Sequence, residues 1–351
     1  MEDYLMKLIN NQSNSSNPVV LQLITGLGVG GAERVVMELA GRLPSSGIRS
    51  VIVTISADPR MFSMLEQYSE VAFPVHTLMV QKNPWSLLKG VIKLVRILHI
   101  ENISLIHAHM FHSLLFALIS KIVRPDLPIV FTSHSAKGFS WLRQTIIRMT
   151  RAMRDADIIF VPGQHPEMNA ANTVVIPNGV PVDPAKVVVA KEVSARRVFL
   201  CAGRLEPEKD PIALVQAFAA MQHKNCELWM AGDGVMRHDV KREVDKLCIK
   251  DRVRILGLRN DVPQLLVQAD CFVMSSRWEG LPMAVLEAGA IGLPVVATPV
   301  GALPAVLDGD CGYLVETSRL HRALDAVVND YAEATRRGKR LRDKVINHYS
   351  L

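Results

Sequence analysis

The chain has 351 residues, 49% of them hydrophobic and 21% charged, which is the composition of a packed globular protein and excludes an intrinsically disordered one. Its net charge of +6 and isoelectric point near 9.1 favour anionic partners such as nucleotide sugars or acidic lipid headgroups. Aromatic residues make up only 5%, and no basic run is interleaved with them, so nucleic acid is not expected as a partner.

The start of the chain and the cysteines indicate the compartment. Residues 1–18 are predicted to form a polar N-terminal extension, without the apolar stretch or cleavage site of a signal peptide. No apolar run reaches the ~18 residues that a membrane-spanning helix needs. The five cysteines are odd in number and lack metal-type spacing, which is typical of a reducing compartment. We therefore expect a cytoplasmic protein.

From residue 19 onward, short apolar runs alternate with longer helical patterns, which predicts parallel sheets flanked by helices. The first series of predicted strands covers residues 19–25, 50–55, 104–109, 128–133 and 158–162. Prolines and an Asn-Gly pair at 175–183 favour a linker. A second series of strands follows at 197–202, 227–231, 253–256, 271–274 and 295–298.

This alternation predicts an α/β protein with two Rossmann-like domains whose parallel sheets face an interdomain cleft. The N-terminal domain is expected to cover residues 19–178 and the C-terminal domain residues 191–330. Residues 179–190 are the predicted linker, and residues 331–351 the predicted C-terminal helix.

Three glycines follow the first predicted strand and fit a dinucleotide-binding fingerprint. Gly26, Gly28 and Gly31 have the spacing G-x-G-x-x-G and precede a predicted helix. A dinucleotide site also needs an acidic residue at the end of the second strand, but Asp58 comes after that strand. The loop therefore leaves open a nicotinamide-dependent oxidoreductase and also a strand-to-helix turn without any ligand.

A second element lies nearer the C-terminus. The apolar run 271–274 predicts a buried strand, Gly280 a tight turn, and Pro282 the first position of a helix. Backbone N–H groups and the helix dipole at such a helix start favour a diphosphate. Glu279 and Glu287 repel phosphate, so we expect both carboxylates to contact hydroxyl groups beside the diphosphate, those of a sugar and a ribose.

The E-G-x-P-x-x-x-x-E-A pattern in this element resembles the retaining glycosyltransferases of family 4 (group 1), which share the two-domain GT-B fold. The similarity extends from about residue 19 almost to the C-terminus. It implies that Glu279 contacts the donor sugar and Glu287 the ribose. The backbone amides of Leu281 and Met283, on either side of Pro282, would bind phosphate or sugar oxygens. The N-terminal domain would lie on the acceptor side, and the C-terminal domain would bind the nucleotide sugar.

Gly203, Arg204 and Lys209 resemble another element of the family, G-R-x-x-x-x-K-[DN], at the end of the first strand of the second domain. A guanidinium and an ammonium there can bind a diphosphate whose charge grows as the sugar leaves. The alternative is a solvated run of charges paired with one another. The resemblance also implies donor contacts from loop positions: Gly28, Gly30, Gly31, Gly234, Leu258 and Gly280.

His134 is the histidine that the resemblance singles out, because it ends a predicted strand of the first domain. In the family, a histidine there meets the sugar and phosphate of the donor near the acceptor. A hydrogen-bonded structural histidine is the alternative. His107, His109 and His112 lie upstream, but the sequence offers no further metal-ligand motif, so no metal is expected.

A basic amphipathic helix is predicted at residues 139–154. Leu142, Ile146, Met149 and Met153 share one face, and four arginines occupy the rest. Such a helix fits either an anionic membrane surface or an ordinary solvated surface. The segment 347–351 resembles a family motif that continues into a final helix, so the C-terminal helix is expected to be truncated or supplied by residues 320–345.

The resemblance implies a retaining transfer of a hexose-type sugar from a nucleoside diphosphate sugar to a hydroxyl acceptor. His134, Arg204, Lys209 and Glu279 would carry the chemistry, without a metal or other cofactor. A lipid-linked glycan of surface polysaccharide is one acceptor class, which would bring the protein to the cytoplasmic face of a membrane. A nicotinamide-dependent oxidoreductase and a noncatalytic nucleotide-sugar-binding protein are the alternatives.

Overall fold

The computed structural model describes residues 1–10, 17–28, 30–56, 73–134, 140–162, 168, 171–183 and 196–350. The chain divides into two compact units, Met1–Ile176 and Pro177–Leu351. Asp58, residues 184–190 of the predicted linker and residues 191–195 of the predicted second domain lie outside the described residues.

Unit 1 contains a parallel sheet whose described strands are β1 Val19–Ile24, β2 Arg49–Ser56, β3 Val75–Val80, β4 Leu105–His109, β5 Ile129–Thr132, β6 Ala156–Ile159 and β7 Thr173–Val175. Their order is β3-β2-β1-β4-β5-β6-β7. The described helices are α1 Glu2–Asn10, α2 Gly31–Arg42, α3 Pro84–Ile100, α4 Met110–Val123 and α5 Trp141–Met149. Because β1 pairs with β2 on one side and β4 on the other, the connections diverge at its carboxyl end, where ligands bind in such sheets.

Helix α1 corrects the prediction of a polar extension over residues 2–10, and residues 11–16 of that prediction lie outside the described residues. Leu5 and Ile9 are four residues apart, so they share one face of the helix, and both are fully buried. They belong to a core cluster with Val20 of β1 and Leu43. The N-terminal helix is therefore part of the hydrophobic core of unit 1.

Helix α5 also differs from its prediction. It ends at Met149, and its buried residue is Ile147, whereas Leu142 and Met149 are exposed. Arg154, predicted to lie on a basic surface, is buried and donates to both carboxylate oxygens of Asp157 at 2.6 and 2.7 Å. Arg154 can be buried because the carboxylate of Asp157, itself in the core, forms an ion pair with its guanidinium.

Unit 2 contains a second parallel sheet, with described strands β8 Arg197–Ala202, β9 Cys226–Ala231, β10 Val253–Gly257, β11 Cys271–Met274, β12 Val295–Ala297 and β13 Tyr313–Leu314 in the order β10-β9-β8-β11-β12-β13. Its described helices are α6 Pro211–Ala220, α7 Arg237–Lys246, α8 Val262–Gln268, α9 Met283–Ala290, α10 Leu303–Val306, α11 Leu320–Asn329 and α12 Tyr331–His348. Strand β8 lies between β9 and β11, so the connections of unit 2 diverge at its carboxyl end.

Helix α12 packs closely on α9. A Cβ atom at Gly289 of α9 would lie 2.8 Å from Cγ2 of Val345 and 2.9 Å from Cγ of Leu341, both on α12. The Nε group of Arg342 donates to the carbonyl of Ala290 at 3.1 Å. The C-terminal helix therefore fixes the position of α9, which carries Glu287. None of the described helices is long and apolar enough to cross a membrane.

Candidate functional site

The loops after β8 and β9 touch through their backbones. Gly232 has φ of +152°, and a Cβ atom there would overlap the carbonyl of Gly203. A Cβ atom at Gly234 would overlap the carbonyl of Leu205. Backbone hydrogen bonds join the same loops, from Leu205 N–H to Asp233 O at 2.9 Å and from Gly203 N–H to Ala231 O at 3.0 Å. Only glycine permits this approach at positions 232 and 234, so Gly232 and Gly234 have structural roles beside any ligand contact, while Gly203 takes part through its backbone.

Lys209 and Glu279 form an ion pair across the end of the sheet. The Nζ atom of Lys209 lies 2.5 Å from Oε1 of Glu279, and the hydroxyl of Ser276 donates to the same oxygen at 2.6 Å. Glu279 is 9% exposed. Among the described residues no hydrogen bond engages Oε2 of Glu279, so this oxygen can accept one from a ligand hydroxyl.

Asp210 explains the geometry of the loop that carries Lys209. Its φ of +44° is left-handed, and its carboxylate accepts from Ala213 N–H at 3.4 Å, which caps helix α6. The other carboxylate oxygen accepts from Nε of Arg277 at 2.7 Å. The Ser275 hydroxyl donates to the carbonyl of Lys209 at 2.9 Å. The loop after β8 is therefore bonded to the loop after β11 at several points.

Arg204 and Lys209 share one loop but bind different carboxylates. Arg204 pairs with Glu208 at 2.5 Å, and its side chain is 57% exposed. The sequence left open that the charges of this loop pair with one another, and that alternative is correct for Arg204. Lys209 instead pairs with Glu279, outside the loop. A pair this exposed contributes little to stability, so an incoming anion can replace Glu208 at the guanidinium.

The turn between β11 and α9 is fixed by neighbouring backbone. Helix α9 begins at Met283, so Pro282 is its N-cap and lies one position earlier than predicted. Gly301 has φ of +57°, and a Cβ atom there would lie 2.5 Å from the carbonyl oxygen of Gly280. Asn178 donates from Nδ2 to the carbonyl of Leu281 at 3.2 Å. The first N–H groups of α9, whose helical acceptors are missing, thereby acquire a fixed direction.

Glu287 lies on α9, one turn after Met283, and is partly buried. It and Glu279 therefore border the same helix start. At the other edge of the sheet, Gly257 ends β10 with φ of +71°, and its carbonyl accepts from Gly232 N–H at 2.7 Å. Leu258 follows, exposed, and lines a shallow pocket of about 390 Å³.

The glycine loop of the fingerprint lies in unit 1, at the carboxyl end of β1. Gly31 opens α2 and Gly30 is its N-cap. A Cβ atom at Gly30 would overlap the carboxylate of Glu33, which folds back over the loop. Gly28 is partly buried in the same loop.

His134 ends a chain of hydrogen bonds at the carboxyl ends of β1, β4 and β5. His109 Nε2 lies 2.7 Å from the side-chain oxygen of Gln22, and His109 Nδ1 lies 2.9 Å from Nε2 of His134. Because an amide oxygen only accepts, His109 donates from Nε2, and its Nδ1 accepts from Nε2–H of His134. Nδ1 of His134 then carries a lone pair. His107 binds separately, to the hydroxyl of Thr132 at 2.7 Å.

Burial keeps these histidines neutral. It lowers the pKa of His107 to about 3 and the pKa of His134 to about 3, and it holds the pKa of His109 well below the usual value. The rings of His107 and His109 lie 4.0 Å apart between centroids. Within the part of the chain that the structure describes, no group of three or more His, Cys, Asp or Glu residues is arranged to hold a metal ion.

Comparison with known proteins places both units in one group of enzymes. A family model described as Glycosyl transferases group 1 matches residues 185–344, and one described as Glycosyltransferase Family 4 matches residues 29–184. The chain is a family 4 glycosyltransferase. The prediction from the E-G-x-P-x-x-x-x-E-A pattern is thereby confirmed.

Relatives of this glycosyltransferase include the UDP-Gal:alpha-D-GlcNAc-diphosphoundecaprenol alpha-1,3-galactosyltransferase of Escherichia coli, which is 26% identical over 296 residues, 75% of this chain and 76% of that protein. The putative glycosyltransferase EpsF of Bacillus subtilis is 28% identical over 316 residues, 81% of this chain and 79% of that protein. Among solved structures, Anabaena Alr3699/HepE in complex with UDP-glucose has a TM-score of 0.80 at 21% identity, covering 95% of each chain. This likeness confirms the GT-B fold.

Several site residues of the glycosyltransferase were not found from its sequence. Ser276 binds Glu279, Asp210 caps α6, and Asn178 binds the turn before α9. Gln22 is the clearest omission, because a glutamine inside the apolar strand VVLQLI must be buried and therefore needs a partner. That partner is His109.

Proposed function

We propose that this glycosyltransferase retains anomeric configuration while it transfers a hexose from a nucleoside diphosphate sugar to a hydroxyl of a lipid-linked glycan. The observation that carries the proposal is the convergence, in unit 2, of Lys209, Glu279 and the start of α9 at the carboxyl ends of β8 and β11. A cation, a hydroxyl-binding carboxylate and directed N–H groups together match a sugar diphosphate. The names of two relatives, which contain UDP-Gal with diphosphoundecaprenol and UDP-glucose, support the donor and acceptor classes.

The leaving diphosphate is assigned to cations and amides. Arg204, with its exposed guanidinium, and Lys209 bind its oxygens, together with the backbone N–H groups of Leu281 and Met283. These charge-assisted bonds strengthen as negative charge develops on the leaving group. They therefore lower the activation barrier and do not only raise the affinity for the donor.

The hydroxyl groups are assigned to the two carboxylates. Oε2 of Glu279 accepts from a sugar hydroxyl, because Lys209 and Ser276 already occupy Oε1. Glu287, one turn into α9, accepts from the ribose. Gly203, Gly234 and Gly280 allow the loops to approach the nucleotide closely, and the backbone at Leu258 meets the base.

The proposed reaction is substitution on one face of the sugar. The bond from the anomeric carbon to the diphosphate oxygen breaks, the acceptor oxygen forms the new bond on the same face, and the acceptor proton passes to an oxygen of the departing diphosphate. The protein positions the reactants and stabilises charge. His134 and the loop with Gly28, Gly30 and Gly31 are also proposed to contact the donor, and the lone pair on Nδ1 of His134 suits a sugar hydroxyl better than a phosphate.

Mass spectrometry of products tests the proposal, after incubation of the full chain with a panel of nucleotide sugars and a lipid extract. One hexose should be added to a lipid-linked product. Glu287→Ala should abolish it, while Glu316→Ala, an exposed glutamate of the same unit, should not. Unchanged turnover by Glu287→Ala would refute its ribose role.

Thermal melting separates the remaining alternatives. Stabilisation by a nucleoside diphosphate but not by NADH is expected, since binding to the folded state raises the melting temperature. Stabilisation by NADH alone would favour the oxidoreductase. Nucleotide binding without turnover on any acceptor would indicate a noncatalytic homologue.

A further inference from the structure

Helix α3 of unit 1 exposes a face that is both apolar and basic. The apolar side chains on this face are Trp85, Leu88, Ile92 and Ile100, and the basic ones are Lys89, Lys93 and Arg96. Trp85 is 75% exposed and Ile100 is 78% exposed. Their spacing of three, four and seven residues brings these side chains onto one side of the helix.

The helix cannot turn this face inward. Leu94, Ile97 and Leu98 on its opposite side are buried in the core of unit 1. A Cβ atom at Gly90 would lie 2.5 Å from Cγ2 of Val80, so the helix backbone is seated directly on β3. The exposed apolar residues are therefore a permanent feature of the surface, and large apolar patches of this kind mark contact sites.

The face is also strongly cationic. Residues 84–100, all of them described, include no acidic side chain. A groove of about 590 Å³ runs beside the helix and is lined by Lys89, Lys93, Arg96 and two exposed isoleucines. Glu101 also lines it, but its carboxylate accepts from Arg49 and contacts His76, each at 2.8 Å, and the Arg49 hydrogen bond lowers its pKa. Within the part of the chain that the structure describes, no carboxylate forms an ion pair with Lys89, Lys93 or Arg96, so the groove is positively charged.

Helix α7 of unit 2 shows what an ordinary solvated surface of this protein looks like. Two of its cations pair with carboxylates on the same helix, Lys246 with Glu243 at 3.7 Å and Arg242 with Asp239, and Arg237 pairs with Asp233 just before the helix. Helix α7 exposes no large apolar side chain, and it carries three carboxylates beside its four Lys and Arg residues. Helix α3 differs in both respects.

We propose that the exposed face of α3 docks on the surface of an anionic lipid bilayer. Trp85, Ile92 and Ile100 enter the boundary between headgroups and acyl chains, where tryptophan is enriched, while the cations of the groove bind headgroup phosphates. The positive charge of the groove complements the lipid headgroups. This surface is distinct from the helix at 141–149, where the sequence predicted a membrane contact. The docking proposal rests on the proposed function only for the role that it gives to docking, which is to bring the enzyme to a lipid-linked acceptor.

Sedimentation with sucrose-loaded vesicles tests the docking, with the full chain and without donor or acceptor. Binding is expected to vesicles of phosphatidylcholine with phosphatidylglycerol, not to phosphatidylcholine alone, and should weaken as salt rises. Lys89→Gln with Lys93→Gln should reduce partitioning roughly 30-fold, from the loss of two attractive charges. Lys241→Gln with Lys246→Gln, an equal loss of charge on α7, should leave it unchanged. Circular dichroism verifies that both variants fold.

Tryptophan emission identifies the docking helix. The blue shift on anionic vesicles should disappear in Trp85→Ala and persist in Trp141→Ala. The reverse result would place the contact on α5 and overturn the proposal, as would equal binding by the Lys89/Lys93 variant and the α7 control. Self-association that Trp85→Ala abolishes, without vesicle binding, would make the face an interface between two copies. Vesicle binding without sugar transfer would disprove the proposed function and leave the docking intact.

Discussion

The Nζ atom of Lys209 lies 2.5 Å from Oε1 of Glu279, although the two residues are 70 positions apart in the chain. The pair joins the loops that follow β8 and β11, and the Ser276 hydroxyl binds the same carboxylate oxygen. A lysine placed in this way can orient the hydroxyl-binding carboxylate and also bind the leaving diphosphate. The two roles can be separated by the effect of a substitution on kcat and on KM.

Lys209→Ala should lower kcat on the order of 10²- to 10³-fold, by analogy with loss of one oxyanion donor, because developing charge loses its cation. Lys209→Met keeps the length of the side chain but removes its charge. Its kcat should fall equally, since the loss of charge and not of packing causes the effect. Steady-state kinetics with the donor identified by mass spectrometry checks this. Lys250→Ala, an exposed lysine of the same unit, is the control. A rise in KM with kcat unchanged would mean that Lys209 contributes only ground-state binding.

The hydrogen bonds from Gln22 through His109 to His134 predict the tautomers of both histidines. His109 and His134 should each carry their proton on Nε2, and Nδ1 of His134 should be unprotonated. Two-bond ¹H–¹⁵N NMR spectra of histidine-labelled protein distinguish the ring nitrogens directly. In Gln22→Leu, His109 loses its acceptor, so the His134 signals should shift or broaden, while those of the exposed His238 should not move. A proton on Nδ1 of His134 in the unaltered protein would contradict the assignment.

The buried histidines also predict how stability depends on pH. Their pKa values are lowered by burial, so below the ordinary value of 6.5 the unfolded chain binds protons that the folded chain does not. Stability is therefore fully present above pH 6.5 and lost as pH falls toward the folded pKa values. The two fully buried histidines, His107 and His109, give a slope of about 3 kcal/mol per pH unit once the unfolded ones are protonated.

Urea unfolding between pH 5 and pH 7.5 measures this slope, above the range in which most carboxylates titrate. His238→Gln, at an exposed histidine, should leave the slope unaltered. A free energy of unfolding that is flat over this interval would show that His107 and His109 are accessible to protons in the folded state.

The fold was predictable because most strands are buried on both sides and read as short apolar runs. Strands such as VVLQLI of β1 and CFVM of β11 are of this kind, and each predicted strand overlaps an observed one. Strand β3 was missed because it lies at the edge of its sheet, where His76 and Thr77 interrupt the apolar pattern. Helix α1 was missed because its two buried residues are few against a polar sequence.

The site was predictable in its parts but not in its pairings. Glu279, Lys209 and Gly280 stand out as residue types at strand ends, where a parallel sheet collects ligands. The sequence could not show that Lys209 binds Glu279 and Arg204 binds Glu208, because that depends on the paths of two loops. Nor could it show the role of Gly301, because its need for glycine arises from a backbone contact between the loops after β11 and β12, which the sequence does not place together.

Gly301 tests how closely the turn before α9 must be positioned. Its φ of +57° disfavours any other residue, and a Cβ atom there would press on the carbonyls of Glu279 and Gly280. Gly309 is a matched control, with φ of +60° and nothing within 4 Å of the added Cβ atom. Both alanine variants have the same conformational cost, about 1 kcal/mol, and only Gly301→Ala must also displace the loop that carries Glu279.

We therefore expect Gly301→Ala to lose a further 1–3 kcal/mol of unfolding free energy, roughly the cost of overpacking. Its kcat should fall while that of Gly309→Ala stays unchanged, and equal losses in both variants would show that the turn tolerates the displacement.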